Sequence, residues 1–393
     1  MTHYLDNSAT TPLCEAARAA VISIIDENFG NPSSLHSVGV KAQEAVDSAR
    51  KAVLSSLLPA GKRGKSEQVI FTSGGTEANN LAIIGTATAK PRNAGKKIII
   101  GETEHSSVLA SAERLKTLGY KVAFIPSPKG VWDMETFEKE LTADTILASA
   151  MLVNNETGAV NDIAKIAAAA RKASPDVIIH CDAVQGYMRL PKNLLSPADI
   201  VTVSAHKIGG PKGAGALFAS EDVIKKKTLI PVIFGGGQEH GLRSGTENVL
   251  GIAGFGASVD YFAKNQNSVY SHFDRLYSYA VSRFSELEGD GISLNIPQTE
   301  RVAHHILSVT AHGVRSETML HFLSSEGVFV SSGSACSSNT KSRSHVLRSF
   351  GLSDDDIDST LRLSFGLGTS EEDIDAAAVA FLKGIKTLSH KRG

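Results

Sequence analysis

The run Val201-Thr-Val-Ser-Ala-His-Lys-Ile-Gly-Gly-Pro-Lys-Gly-Ala-Gly215 decides how this chain is read. The β-rich segment Asp199-Ile-Val-Thr-Val203 leads into Ser204-Ala-His-Lys207, a Gly/Pro turn follows, and a second apolar run, Ala216-Leu-Phe-Ala219, comes next. A lysine at the point where a strand gives way to a tight turn is held by rigid backbone while its amine reaches a cleft. Schiff-base chemistry asks for that setting, because the amine must be partly desolvated and close to an electrophilic carbonyl. Gly-Pro is also ordinary turn chemistry, so the weight falls on what surrounds Lys207.

Outward from this stretch, strands alternate with helices. Residues 68–72, 97–100, 120–125, 145–153 and 176–180 read as strands, apolar almost throughout. Helical patterns at 15–27, 38–58, from about 77, from about 106, and at 163–173 space them. Strands with no polar face imply a mainly parallel sheet covered on both sides, an α/β fold. From Glu247 a long helical stretch runs through Asn265 and past Leu287. Beyond it, short strands (305–309, 327–330, 360–364) mix with helices (316–325, 353–359, 371–388). The pattern predicts a large unit over 15–262 and a smaller α+β unit built from 1–14 and 263–393.

Composition narrows the function. A chain of 393 residues, 42% hydrophobic, has enough apolar matter for two domains. Lys+Arg number 40 against Asp+Glu 41, a formal charge of -1, which indicates no nucleic acid and no membrane surface as partner. Met1-Thr-His-Tyr-Leu-Asp6 does not read as a signal peptide, and no apolar run approaches the roughly 20 residues of a spanning helix. Cys14, Cys181 and Cys336 are too few and too scattered for a disulfide framework or a Cys-rich zinc site, and fit a reducing cytoplasm. His304 and His305 are adjacent, so along a strand they point to opposite faces, and no metal site is expected.

Several motifs follow strands, where open α/β sheets place their ligands. Thr72-Ser-Gly-Gly-Thr-Glu-Ala-Asn79 joins a strand to a helix; free N–H groups at Gly75 and the Thr76 hydroxyl suit a phosphate. His105, in Glu104-His-Ser106, stands at a strand end, either facing a ligand or capping a helix. Val153-Asn-Asn-Glu-Thr-Gly158 offers amides to a phenolic oxygen, or makes a turn. Asp182, after the buried run Val177-Ile-Ile179, is costly to bury unless a cation meets it. A protonated pyridine nitrogen is such a cation. In Gly235-Gly-Gly-Gln-Glu-His-Gly-Leu-Arg-Ser-Gly-Thr246, the side chains of Arg243, Ser244 and Thr246 reach for a phosphate, on a neighbouring subunit if not on their own.

Taken in order, these pieces resemble the cysteine desulfurases of NifS/IscS type, PLP-dependent members of the class V aminotransferase fold (fold type I). The resemblance runs through Asp6-Asn-Ser-Ala-Thr-Thr-Pro12, Ser73 to Asn80, Thr103-Glu-His105 and Asn154-Asn-Glu156. It continues through Asp182-Ala-Val-Gln185, Ser204 to Lys207, Arg243 to Thr246, Ser331-Ser-Gly-Ser-Ala-Cys336 and Leu361-Arg-Leu-Ser364. It implies pyridoxal 5'-phosphate (PLP) on Lys207, with Asp182 at the pyridine nitrogen and Gln185 and Asn155 at the ring hydroxyl. His105 stacks on the ring and shuttles protons. Gly75, Thr76, Ser204 and His206 surround the phosphate, joined by Thr246 from the other protomer of a homodimer. Arg362, with Asn155 nearby, takes the substrate carboxylate as a two-pronged fork.

Cys336 is the residue that selects the reaction. In Ser332-Gly-Ser-Ala-Cys-Ser-Ser338 it has nothing to pack against, so it reads as exposed on a mobile loop, and the resemblance implies that it is the nucleophile. The resemblance implies sulfur removal from L-cysteine, giving L-alanine and a persulfide on Cys336. That sulfur then passes to an acceptor protein, such as an iron–sulfur scaffold or a thiolation factor. An aminotransferase, or a selenocysteine or cysteine-sulfinate lyase of the same fold, is the alternative; transamination needs no second thiol. The sequence departs from the family pattern at His240 and Leu367, where arginine is common, and in the basic run Asn339-Thr-Lys-Ser-Arg-Ser344.

Overall fold

The computed structural model describes residues 2–59, 61–89, 95–332 and 343–389. In chain order its strands are β1 (His3–Tyr4), β2 (Val69–Thr72), β3 (Lys97–Gly101), β4 (Lys121–Ile125), β5 (Thr145–Ser149), β6 (Ile178–Asp182) and β7 (Ile200–Ser204). They continue as β8 (Gly215–Ala219), β9 (Ile292–Leu294), β10 (Ile306–Ala311), β11 (Val328–Phe329), β12 (Ser331–Ser332) and β13 (Thr360–Ser364).

Seven of them form a central sheet in the order β2-β8-β7-β6-β5-β3-β4. β4, β3, β5, β6 and β7 pair in parallel, whereas β8 runs antiparallel to both β2 and β7. The reversal has a local cause. A parallel neighbour needs a long crossover, but the chain returns from Ser204 to Gly215 through a tight connection in which Gly209 (φ 74°) and Gly213 (φ 79°) are left-handed. Lys207 stands inside that return.

Both faces of the sheet are covered, as apolar strands require. Ile99, Ala148, Ile179, Cys181, Val201 and Val203 face one side with Ala167, Phe255 and Val259 in the larger core. Ile98, Ile100, Leu147, Ile178 and Ile200 face the other side with Ala82, Val108 and Ala112. Truncating one such side chain, Ile99→Ala for example, costs about 2–5 kcal/mol. Cys181 packs in the larger core, and burial pushes its thiol pKa well up.

The C-terminal part is built on a four-stranded antiparallel sheet, β12-β13-β10-β9. The helices Gln266–Ser285, Ser316–Ser325 and Glu371–Leu388 pack around it. The N-terminus joins this part, since β1 pairs with β11 and Asp6 bridges to Ser364. The expected single helix beyond Glu247 is two, Val249–Lys264 and Gln266–Ser285. The break is at Asn265, whose amide bonds back to the Tyr261 carbonyl. Among the described residues, no helix is long and apolar enough to cross a membrane.

Candidate active site

A cavity of about 520 Å³ opens where the parallel strands end. Gly75, Thr76, His105, Asn155, Asp182, Gln185, Ser204, His206, Lys207 and Arg362 all line it. Thr246 is exposed and does not line the cavity of its own chain. Cys336 lies outside the described residues, but the strand that leads to it, β12, pairs Ser331 with Arg362. A second cavity of about 530 Å³, beside the helices Ser37–Leu57 and Val249–Lys264, holds none of these residues.

Lys207 closes the short helical turn Ala205–Lys207 that follows β7. Its Nζ donates to the carbonyls of Ser8 (2.6 Å) and Ala9 (2.7 Å), so the N-terminal loop cradles the amine. The carbonyl of Lys207 accepts from Arg189, a fully buried guanidinium that burial pushes down to about 9. Arg189 also donates to Gln185 Oε1 (3.2 Å), and Gln185 Nε2 donates to the Ser8 carbonyl (3.0 Å). Lysine, glutamine and N-terminal loop are thereby tied together.

Asp182 ends β6 and is only 5% exposed. Its carboxylate accepts from Asn79 Nδ2 (2.7 Å) and the Val184 N–H (3.0 Å). Among the described residues, no lysine or arginine forms an ion pair with it. A buried carboxylate bonded only to neutral donors suits a cationic ligand group.

Arg362 reaches in from β13. Its Nη2 meets Asp6 Oδ1 at 2.7 Å and its Nη1 meets the Asn155 carbonyl at 2.9 Å. Its buried Nε has no hydrogen-bond partner among the described residues. The two adjacent amides divide the work: Asn154 Oδ1 accepts from the N–H groups of Glu156 and Thr157 and makes the turn, whereas Asn155 lines the cavity.

At the opposite corner, Gly74-Gly75 opens a helical run that continues to Ala89 through a wider π turn at Leu81–Gly85. A Cβ at Gly75 would come within 2.9 Å of Val184 Cγ2, so glycine is what lets the chain approach so closely. Ser204 Oγ is buried here with no hydrogen-bond partner among the described residues. His206 is neutral at ordinary pH, because burial and then Lys207, Lys212 and Arg189 push it down to about 4. The helix start, the Thr76 hydroxyl and the orphaned Ser204 hydroxyl suit an anion. With the amine and the cation-free carboxylate, this set fits PLP.

His105 does both things its position allows. It caps the helix Ser106–Thr117, accepting the Ser107 N–H, and it lines the cavity. Within one chain the glycine-rich loop is held by two ion pairs. Arg243 pairs with Glu77 of its own chain (2.8 Å), and Glu239 is buried in a two-pronged pair with Arg50 (2.7 and 2.8 Å). His240 is exposed in a left-handed turn (φ 58°), and Leu367 packs against the core.

Two buried carboxyls, Glu104 and Glu156, also line the cavity. Burial and then Asp182 raise Glu104 well above the usual range, and its Oε1 accepts from the Met151 N–H. Burial raises Glu156 to about 7 against the opposing pulls of Ser344, which donates to it at 2.6 Å, and Arg362. Both stand inside motifs visible in the sequence, as does Asn79, but only three-dimensional neighbours reveal what they do.

The aminotransferase class-V family model matches residues 3–377. The cysteine desulfurase IscS of Dictyoglomus turgidum is 37% identical over 375 residues, 95% of this chain and 91% of that protein. A solved NifS-like protein superposes with a TM-score of 0.88 at 31% identity, covering 99% of this chain and 100% of its own. A solved structure of SspA in complex with cysteine gives 0.76 at 29% identity, covering 93% and 99%. Matched over nearly its whole length, the chain belongs to the class-V aminotransferase family, on its cysteine desulfurase branch.

Proposed function

We propose that the cavity binds PLP and L-cysteine and removes the substrate's sulfur, releasing L-alanine and leaving a persulfide on Cys336. One observation carries this reading: an amine at Lys207, a cation-free buried carboxylate at Asp182 and a guanidinium at Arg362 share one cavity. Asp182 opposes the ring nitrogen, Gln185 and Asn155 the ring hydroxyl, and His105 the ring face. Gly75, Thr76, Ser204 and His206 surround the phosphate. When bound, the cofactor's conjugated ring takes up the electron pair released at the substrate Cα.

The chain's own groups do the rest. Arg362 holds the substrate carboxylate. Lys207 Nζ would hold the cofactor at rest and take the Cα proton in turnover. The Cys336 thiolate attacks the substrate sulfur; an S–S bond forms, the Cβ–S bond breaks with its electron pair left on carbon, and the carbon fragment leaves as alanine once protons are returned at Cβ and Cα. Residue 336 is four residues past Ser332, a reach of at most about 14 Å from the strand beside Arg362.

Residues 15–262 serve as the cofactor-binding unit, and 1–14 with 263–393 as the smaller unit that brings Arg362 and Cys336. The active form is a homodimer in which Thr246 completes the partner's phosphate site. Its support is an exposed Thr246 and large apolar side chains left in solvent nearby in sequence, Ile233 at 42% and Phe234 at 80%. The protein works in the cytoplasm, where free thiols persist, and delivers sulfur to an acceptor protein of an iron–sulfur or thiolation pathway. Incubation with L-cysteine, followed by measurement of alanine and sulfide, tests the reading. Amino-group exchange with keto acids and no alanine from cysteine would replace it with the aminotransferase reading.

A further inference from the structure

A hydrogen-bonded chain of side chains connects Asp182 to His105, and its direction is fixed at one end. Asp182 Oδ2 lies 2.7 Å from Asn79 Nδ2. A carboxylate only accepts, so the amide nitrogen of Asn79, rather than its oxygen, must face it. The second hydrogen of that nitrogen goes to Ser107 Oγ at 2.9 Å. Ser107 still has its own hydroxyl hydrogen to give, and His105 Nδ1 stands 2.8 Å away. The Ser107 backbone N–H also points at Nδ1, at 3.2 Å. Asn79 is 1% exposed and Ser107 7%, so water has little access to the chain.

Nδ1 of His105 therefore meets two donors and must present a lone pair. A neutral imidazole carries one N–H, which leaves the proton on Nε2. In this state Nε2 donates a hydrogen bond but accepts no proton, since its lone pair belongs to the ring. Protonation at Nδ1 would set an N–H against two other donors.

We propose that Asn79 and Ser107 are positioning residues that hold His105 as the neutral Nε2–H form, so that the ring presents one fixed tautomer to the cavity. This rests on the proposed function for the identity of the reaction only; the side-chain relay needs no bound ligand.

The test is nitrogen NMR of the holoenzyme labelled in its histidines, with the His105 signals identified by their loss in His105→Gln. The expected pattern at neutral pH is a pyridine-like Nδ1 and a pyrrole-like Nε2. Ser107→Ala removes the hydroxyl donor without adding bulk, and should shift both nitrogens towards a common averaged position. Ser107→Thr keeps the hydroxyl and should keep the wild-type pattern. A wild-type His105 protonated at Nδ1, or a Ser107→Ala spectrum unchanged from wild type, overturns the proposal. Alanine release from cysteine is assayed on the same samples, so failure of the desulfurase reading is seen separately from failure of the relay.

Discussion

The Arg362 guanidinium lies 2.7 Å from the Asp6 carboxylate, on the wall of the cavity where a substrate carboxylate would dock. Asp6 holds the fork in place before substrate arrives. Arg362 is 6% exposed, so removing its partner strands a buried cation. Asp6→Asn should lower stability by about 1–3 kcal/mol, less than a fully buried pair costs because the Asp6 carboxylate is partly solvated. L-alanine, which carries the same carboxylate, should then stabilise the variant more than the wild type. Thermal melts with and without L-alanine check this; a variant as stable as wild type without ligand would contradict it.

Asp182→Asn keeps the shape of the wall but removes its charge. A hydrogen bond to a charged group is worth about 1.5–3 kcal/mol, so cofactor affinity should fall roughly 10- to 100-fold. A PLP titration followed by absorbance reads this directly. Unchanged affinity would remove Asp182 from the ring nitrogen.

Glu156 gives a pH signature of known sign. Its folded pKa is raised from 4.5 to about 7 by burial. A raised carboxyl contributes stability that is full below about pH 4.5 and is lost as pH rises to about 7. His180 and His206, both pushed down to about 4 by burial, slope the opposite way between about 6.5 and 4. The difference between Glu156→Gln and wild type isolates the glutamate. That difference should favour the variant increasingly from pH 4.5 to 7, by on the order of 3 kcal/mol at most. Denaturation curves across this range that stay parallel would refute it.

Glu239 anchors the glycine-rich loop from inside the protein. It pairs with Arg50, takes the Phe71 N–H at 2.8 Å and holds a left-handed backbone (φ 49°). Glu239→Gln should cost about 3–5 kcal/mol, because Arg50 is left buried without a counter-charge. Urea unfolding is the check, and a loss under 1 kcal/mol would show that the loop is held by other contacts.

Much of this architecture was legible because it is periodic. The helices Glu15–Glu27, Ile163–Ala173, Ser316–Ser325 and Glu371–Leu388 fall where the pattern puts them, as does β13. The reversal of β8 was not legible, since an apolar run reads the same in either direction and only the tight return through Gly209 and Gly213 decides it. The break at Asn265 was hidden by a helical pattern on both sides. In the site, residues at strand ends converge on one cavity, because a parallel sheet delivers them to one edge. The partners that orient them come from elsewhere. Ser8 is brought to Lys207 by the pairing of the N-terminus with the C-terminal part, and Asn79 meets Asp182 only where a helix crosses the sheet. No spacing in the chain announces either.

The central claim is that sulfur leaves cysteine through the thiol of Cys336. Replacing Cys336 with Ser removes that nucleophile and leaves Lys207, Asp182 and Arg362 in place. The measurement is alanine formed from L-cysteine by the wild type and by Cys336→Ser under identical conditions, with the cofactor's visible spectrum followed in both. The account predicts that the variant still changes its spectrum on adding cysteine but loses nearly all alanine and all protein-bound persulfide. Full alanine release by Cys336→Ser would contradict it.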